Sequence, residues 1–110
     1  VANRDSTDMT ILLGNGNESF RNEIRIFAGF HPRVVAVADV NNDGTFDIVL
    51  TDYVGGALSV FLGYGNGSFQ SSTSFTAGSF AESIAIDDLN NDRKPDIVLA
   101  NYLSNDISVL

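Results

Sequence analysis

The chain is predicted to be all-β, built from four-stranded antiparallel blades of a β-propeller. Three observations predict this. First, the sequence repeats itself at a spacing of 49 residues, so that Asp39, Asn41, Asp43 and Asp47 fall on Asp88, Asn90, Asp92 and Asp96. Ile48-Val49-Leu50 falls on Ile97-Val98-Leu99, and Leu13-Gly14 on Leu62-Gly63. A fixed period of this size marks units that cannot bury their cores alone. Second, short alternating apolar segments stand between Gly/Asn/Asp/Ser turns, and no long 3.6-residue period occurs. Third, four strands in a unit of this length match one propeller blade.

The complete repeat, residues 30–78, supplies the elements in order. A strand is expected at 33–38, where Val35 and Val37 alternate with Val34 and Ala36. An acidic loop follows at 39–47. The second strand, 46–52, carries the continuous run Ile48-Val49-Leu50, as expected of a strand buried on both faces. The third is expected at 57–62 and the fourth at 68–76, with Gly63-Tyr64-Gly65-Asn66-Gly67 as the hairpin between them, because Asn-Gly favours turns with positive φ. Residues 79–110 repeat the first part of the unit, with strands at 83–87, 97–101 and 106–110 around a second acidic loop at 88–96. Residues 1–29 hold its last part, with strands at 9–13 and 19–27. The 110 residues are two periods plus 12 residues, positions 1–12 matching 99–110.

Two blades cannot close a ring, and they leave sheet edges and flat faces open. The expected remedy is a cyclic homo-oligomer in which neighbouring copies complete the split blade, three copies giving six blades or four giving eight. The alternative is that the chain is a stretch of a longer one. It opens at Val1 in mid-repeat, with neither an initiating Met nor a signal peptide, and so reads as an excised, processed or engineered segment.

Composition narrows the function. With 14 acidic against 6 basic residues the net charge is −8, which argues against nucleic acid because few cations are available for phosphates. No apolar run approaches the roughly 20 residues of a membrane span. There are no cysteines, so no disulfide framework exists and no redox compartment is indicated.

The acidic loops are read as calcium loops. Ca²⁺ takes six to eight hard oxygen ligands. A loop curling around an ion turns alternate side chains inward, so positions 1, 3, 5 and 9 would supply side-chain oxygens and position 7 its carbonyl. The first loop offers Asp39, Asn41, Asp43, the Thr45 carbonyl and Asp47; the second offers Asp88, Asn90, Asp92, the Lys94 carbonyl and Asp96. About two Ca²⁺ per chain are expected. Position 6 needs a sharp turn, which suits Gly44; Arg93 in the second loop is expected to be strained there. The loops are not EF-hands, since position 12 is Leu50 or Leu99 inside a strand in place of a bidentate Glu. Without a metal they would be ordinary Asn/Asp/Gly turns.

In this strand context the loops resemble the FG-GAP or VCBS-type repeat of integrin-α-like β-propellers, whose pattern is roughly D-x-N-x-D-G-x-x-D followed by apolar residues. Residues 39–50 match it closely, and residues 88–99 match except at Arg93. A Gly-x-x-Pro turn precedes the first loop as Gly29-Phe30-His31-Pro32; the second copy, Gly78-Ser79-Phe80-Ala81, lacks the proline. The resemblance implies calcium between the first two strands of each blade, mainly structural ions, a role in adhesion or recognition, and an extracellular or cell-surface setting. It also implies seven blades, which pairs of repeats cannot make.

The remaining signals are weaker. His31, the one histidine, has no partners for a catalytic dyad or a zinc site. No nucleophile motif or P-loop occurs, so no enzyme is expected. Asn17-Glu18-Ser19 and Asn66-Gly67-Ser68 spell glycosylation sequons at equivalent turns. Tyr53 and Tyr102 occupy equivalent positions and are expected to pack rather than to form aromatic platforms for a sugar. The leading expectation is a non-enzymatic scaffold or recognition unit that assembles with itself and meets a protein or glycan ligand, touching neither nucleic acid nor membrane. The alternative is a lectin with shallow glycan sites between blades.

Overall fold

The computed structural model describes residues 1–29 and 31–110. The described residues are all-β, with nine strands in three antiparallel sheets. β1 (Asp8–Ile11) pairs with β2 (Ile24–Phe27). β3 (Pro32–Ala38), β4 (Asp47–Asp52), β5 (Ala57–Phe61) and β6 (Thr73–Thr76) form a four-stranded meander in sequence order. β7 (Ala81–Asp87), β8 (Asp96–Asn101) and β9 (Asp106–Val109) repeat its first three strands. Among the described residues no helix is long and apolar enough to cross a membrane.

The continuous apolar run of β4 does what its composition requires. It is wholly buried from Asp47 to Thr51, and its side chains alternate between two cores. Ile48 and Leu50 point one way and join Phe61 with Met9 and Ala28 from the first sheet's side. Val49 points the other way and joins Leu58 and Val60 with Ile97 and Leu99 of β8. The three sheets are therefore stacked face to face, with the middle one covered on both sides. Val49, Leu50, Leu58 and Leu99 are fully buried, and each contributes about 1.5–3 kcal/mol by leaving water. The first strands of successive sheets, β3 and β7, run beside each other.

Both first strands carry an irregularity at the same place, between Pro32 and Val35 and between Ala81 and Ser83. Pro32 has no N–H for a ladder and sits at the strand start, where that is tolerated. In the first copy the buried Thr51 hydroxyl accepts the Val34 N–H at 3.2 Å, satisfying a donor that the shifted ladder leaves over. The Gly29-Phe30-His31-Pro32 turn includes Phe30, which lies outside the described residues.

The strands fall close to their predicted positions except for the fourth of each unit. The segment expected to be strand at 68–76 is strand only at β6, and that expected at 19–27 only at β2. Single bridges, Gly63 to Phe69 and Gly14 to Phe20, close the glycine-rich turns instead. Gln70 donates one backbone bond to Leu62 at 2.8 Å, but the exposed Ser71 and Ser72 bury nothing that would hold them in a ladder.

Candidate functional site: the acidic loops

The first acidic loop connects β3 to β4. Its first carboxylate, Asp39, is half-buried at the end of β3 and accepts the N–H groups of Asp43 (3.0 Å) and Gly44 (2.8 Å). The Asn41 side-chain oxygen accepts the same Asp43 N–H at 3.2 Å, so the oxygens at positions 1 and 3 converge on one point. Asp43 accepts the Thr45 hydroxyl (2.6 Å), the Thr45 N–H (2.8 Å) and the Asn41 amide (3.0 Å). These donors hold its carboxyl below the ordinary aspartate value, the Thr45 hydroxyl foremost. Positive φ at Asn42 (58°) and Gly44 (86°) makes the turns that let the side chains fold inward.

Asp47 closes the loop from below. It is completely buried, yet both of its oxygens are partnered: one accepts the Val40 N–H at 2.9 Å, the other the Gly63 N–H at 2.8 Å. A buried carboxylate is tolerable only with such partners. It ties the loop to the turn after β5, and the Thr45 hydroxyl, donating to the Gly63 carbonyl at 3.2 Å, adds a second tie.

The second loop repeats the bonds that positions 1, 3 and 5 make to the loop backbone, without those of the Thr45 hydroxyl or the tie to Gly63. Asp88 accepts the Asp92 (3.1 Å) and Arg93 (2.8 Å) N–H groups; Asn90 accepts that of Asp92 (3.0 Å) and donates its amide to the Asp92 carboxylate (3.2 Å). Asp92 accepts the Lys94 N–H at 2.9 Å, and Asp96 accepts the Leu89 N–H at 2.8 Å. Arg93 takes the left-handed conformation, φ 67°, that Gly44 takes in the first copy. The loops also touch: the Asn42 amide donates to the Arg93 carbonyl at 2.9 Å, beside a cleft of about 310 Å³ lined by Asn42, Asp88, Arg93 and Lys94 among others.

The donor set is one of hard carboxylate, amide and carbonyl oxygens, the kind calcium takes. Each hydrogen-bonded carboxylate oxygen accepting one N–H keeps a lone pair for a cation. Residues at positions 1, 3 and 5 are gathered at each loop mouth, while Asp47 is committed to backbone N–H groups. Among the described residues no three His, Cys, Asp or Glu side chains form an ion-holding group. Two carboxylates and an amide oxygen converge at each loop mouth, with the predicted ligand Asp47 drawn off to backbone N–H groups.

A second cluster lies where β3 meets β7. Arg33 donates to both carboxylate oxygens of Glu82, at 3.1 and 2.9 Å. Its guanidinium lies 4.7 Å from the centroid of Tyr53, and Tyr53 meets Phe80 edge to face at 4.5 Å. The Phe80 N–H donates to the Tyr53 carbonyl at 3.0 Å. Tyr53 is thus taken up in packing, whereas Tyr102 is 67% exposed. Sequence reasoning passed over Arg33 and Glu82, although one falls on the other under the 49-residue shift with the opposite charge. His31, exposed with φ 61°, offers its carbonyl to the Tyr53 N–H at 3.0 Å.

No curated protein and no solved structure matches the chain. A family model, FG-GAP-like repeat, matches residues 39–99, which run from the first residue of one acidic loop through the other loop into β8 and make up more than half of the 110 residues. With both acidic loops and β4 to β7 inside that match, the chain belongs to the FG-GAP-like repeat family.

Proposed function

We propose that the chain is a calcium-binding segment of a β-propeller, non-enzymatic, serving as a scaffold or recognition unit outside the cell or on its surface. The supporting observation is the duplicated loop lattice: Asp39, Asn41 and Asp43 make the same backbone bonds as Asp88, Asn90 and Asp92. Two loops that keep the same oxygens converging at one spacing carry more than turn chemistry requires.

In this reading Asp39, Asn41, Asp43 and the Thr45 carbonyl hold one ion, and Asp88, Asn90, Asp92 and the Lys94 carbonyl the other. Asp47 and Asp96 hold the loop ends. The ion, when bound, offsets the repulsion of the gathered carboxylates and joins the end of one strand to the start of the next. Asp47 carries that constraint to Gly63 and so to the turn after β5. An ion bound only by the folded chain adds about 2.7 kcal/mol per site at a concentration 100 times its Kd.

Thermal unfolding in calcium and in excess chelator tests the reading. The melting temperature should fall on chelation, and Asp43→Ala with Asp92→Ala should remove most of that difference. Identical melts with and without calcium would refute it.

A further inference from the structure

The two glycine-rich turns are one turn written twice, and their tips spell Asn17-Glu18-Ser19 and Asn66-Gly67-Ser68. The backbone closes both without help from these side chains. Gly14 bridges Phe20 as Gly63 bridges Phe69. The Asn15 N–H donates to the Ser19 carbonyl at 2.9 Å, and the Tyr64 N–H to that of Ser68 at 3.1 Å. The middle residue is left-handed in each copy, Glu18 at φ 65° and Gly67 at φ 90°, which folds the serine back toward the asparagine. The Ser68 N–H and hydroxyl both donate to the Asn66 side-chain oxygen, at 3.0 and 2.6 Å. A backbone N–H can meet only the oxygen of an amide. The nitrogen of Asn66 is therefore the atom left outward, and nothing among the described residues accepts from it. The Ser19 hydroxyl donates to the Asn17 oxygen at 2.5 Å while accepting the Asn15 amide at 3.0 Å, which leaves the Asn17 nitrogen free in the same way. Both asparagines are exposed and stand outside the two cores.

We propose that Asn17 and Asn66 are acceptors of N-linked oligosaccharide, one glycan at each turn. The differences between the copies favour this over turn chemistry alone. The middle position follows local packing: a Cβ on Gly67 would stand 2.5 Å from Leu13 Cδ1, whereas Glu18 is exposed. Position 15 is Asn where position 64 is Tyr. Asn and Ser persist across these changes. Aspartate would accept the same serine donors and is as much at home in turns. Yet this acidic chain keeps the amide in both copies, and the amide is what takes the sugar. Proline, which the sequon excludes, could not hold the positive φ of the middle residue. In the transfer the asparagine Nδ2 gives a proton to a base of the transferase and bonds to the anomeric carbon of the sugar. The bond from that carbon to phosphate breaks, and polyprenyl diphosphate leaves. The donor is a polyprenyl-diphosphate oligosaccharide, met on the secretory route, so modification rests on the setting outside the cell proposed above. β3 and β5 both end on the edge that carries the first acidic loop, and the Thr45 hydroxyl bonds the Gly63 carbonyl there. The glycan on Asn66 thus rises from the turn tied to that loop, and it displaces no buried side chain.

Passage through the secretory route tests this. Produced behind a secretory signal peptide in cultured eukaryotic cells, the chain should carry two glycans. Intact mass reads them, and peptide N-glycosidase should release them, leaving aspartate in place of each modified asparagine. Asn17→Asp and Asn66→Asp, which keep the acceptor oxygen of the turn, should each remove one glycan, and Ser68→Ala should remove the one on Asn66. Cell-free translation with microsomes gives the same readout where little chain is secreted. A chain recovered from either at its bare 11.8 kDa overturns the proposal. So does a mass that only one of the two asparagine substitutions lowers. Bare sequons on a chain whose melt depends on calcium fail the glycan assignment and leave the calcium reading standing. Two glycans on a chain indifferent to calcium do the reverse.

Discussion

Asn3 and Asn101, 98 residues apart, make the same two side-chain hydrogen bonds, each to an aspartate five positions on and a hydroxyl seven positions on. Equal local sequences have reached equal geometry in two sheets with different neighbours. That geometry is set within the repeat, and the neighbours decide only how deeply it is buried. At such paired positions one copy serves as the control for the other.

Glycine is required at one copy of the Leu-Gly step and not at the other. A Cβ on Gly63 would stand 2.2 Å from the Phe46 carbonyl oxygen, a backbone atom that cannot step aside. A Cβ on Gly14 would meet nothing within 4 Å. Gly63→Ala should destabilise the chain by about 2 kcal/mol or more, while Gly14→Ala should be close to neutral. Urea denaturation of the two variants decides, and equal midpoints would refute the close approach.

Asp47→Asn replaces an acceptor of two backbone N–H groups by a group that must turn an NH₂ toward one of them. In the buried site this should cost about 1–3 kcal/mol. Asp96→Asn, at a half-buried residue, should cost less. Denaturation in excess chelator isolates the hydrogen-bond role from any ion, and a smaller loss at Asp47 than at Asp96 would contradict it.

Arg93 holds φ 67° where the first copy has glycine. The left-handed region costs a side-chain-bearing residue about 1–2 kcal/mol. Glycine keeps the backbone bonds to Asp88 and Asn42, so Arg93→Gly should raise stability by about 1 kcal/mol, less the chain entropy glycine adds. A lower melting temperature in chelator would show that the arginine side chain contributes more than its backbone strain.

Acid should weaken the two asparagine-centred clusters. The carboxyl of Asp8 is held below the ordinary value of 3.8, by the Ser6 hydroxyl first and the Asn3 amide next. That of Asp106 is lowered by the Ser104 hydroxyl first and the Asn101 amide next. A carboxyl lowered in the folded state favours folding when ionised. The contribution is therefore complete above the ordinary value and disappears as pH falls below it, through the folded value. Ser6→Ala combined with Ser104→Ala should shrink the loss of stability between about pH 5 and pH 3. Urea midpoints at both values measure it, and an unchanged loss would contradict the assignment.

Much of this was readable from residue order. The 49-residue shift located both loops, and the continuous apolar run Ile48-Val49-Leu50 anticipated a strand covered on two faces. The strain at Arg93 was legible because Gly44 occupies the matching position. The fourth strands were overextended, since the predicted segment ran through Gln70, Ser71 and Ser72, which have nothing apolar to bury. The Arg33–Glu82 pair and the bond from Gly63 to Asp47 were out of reach for a different reason. The first joins strands of neighbouring sheets, and the second follows from the register that sets Ile48 against Phe61; no local pattern encodes either.

Counting ions settles the central claim most directly. Native mass spectrometry of the metal-free chain, titrated with calcium, should add two ions per chain, with one lost in Asp43→Ala and the other in Asp92→Ala. A mass that calcium leaves unchanged, in a chain shown to be folded, would contradict the account.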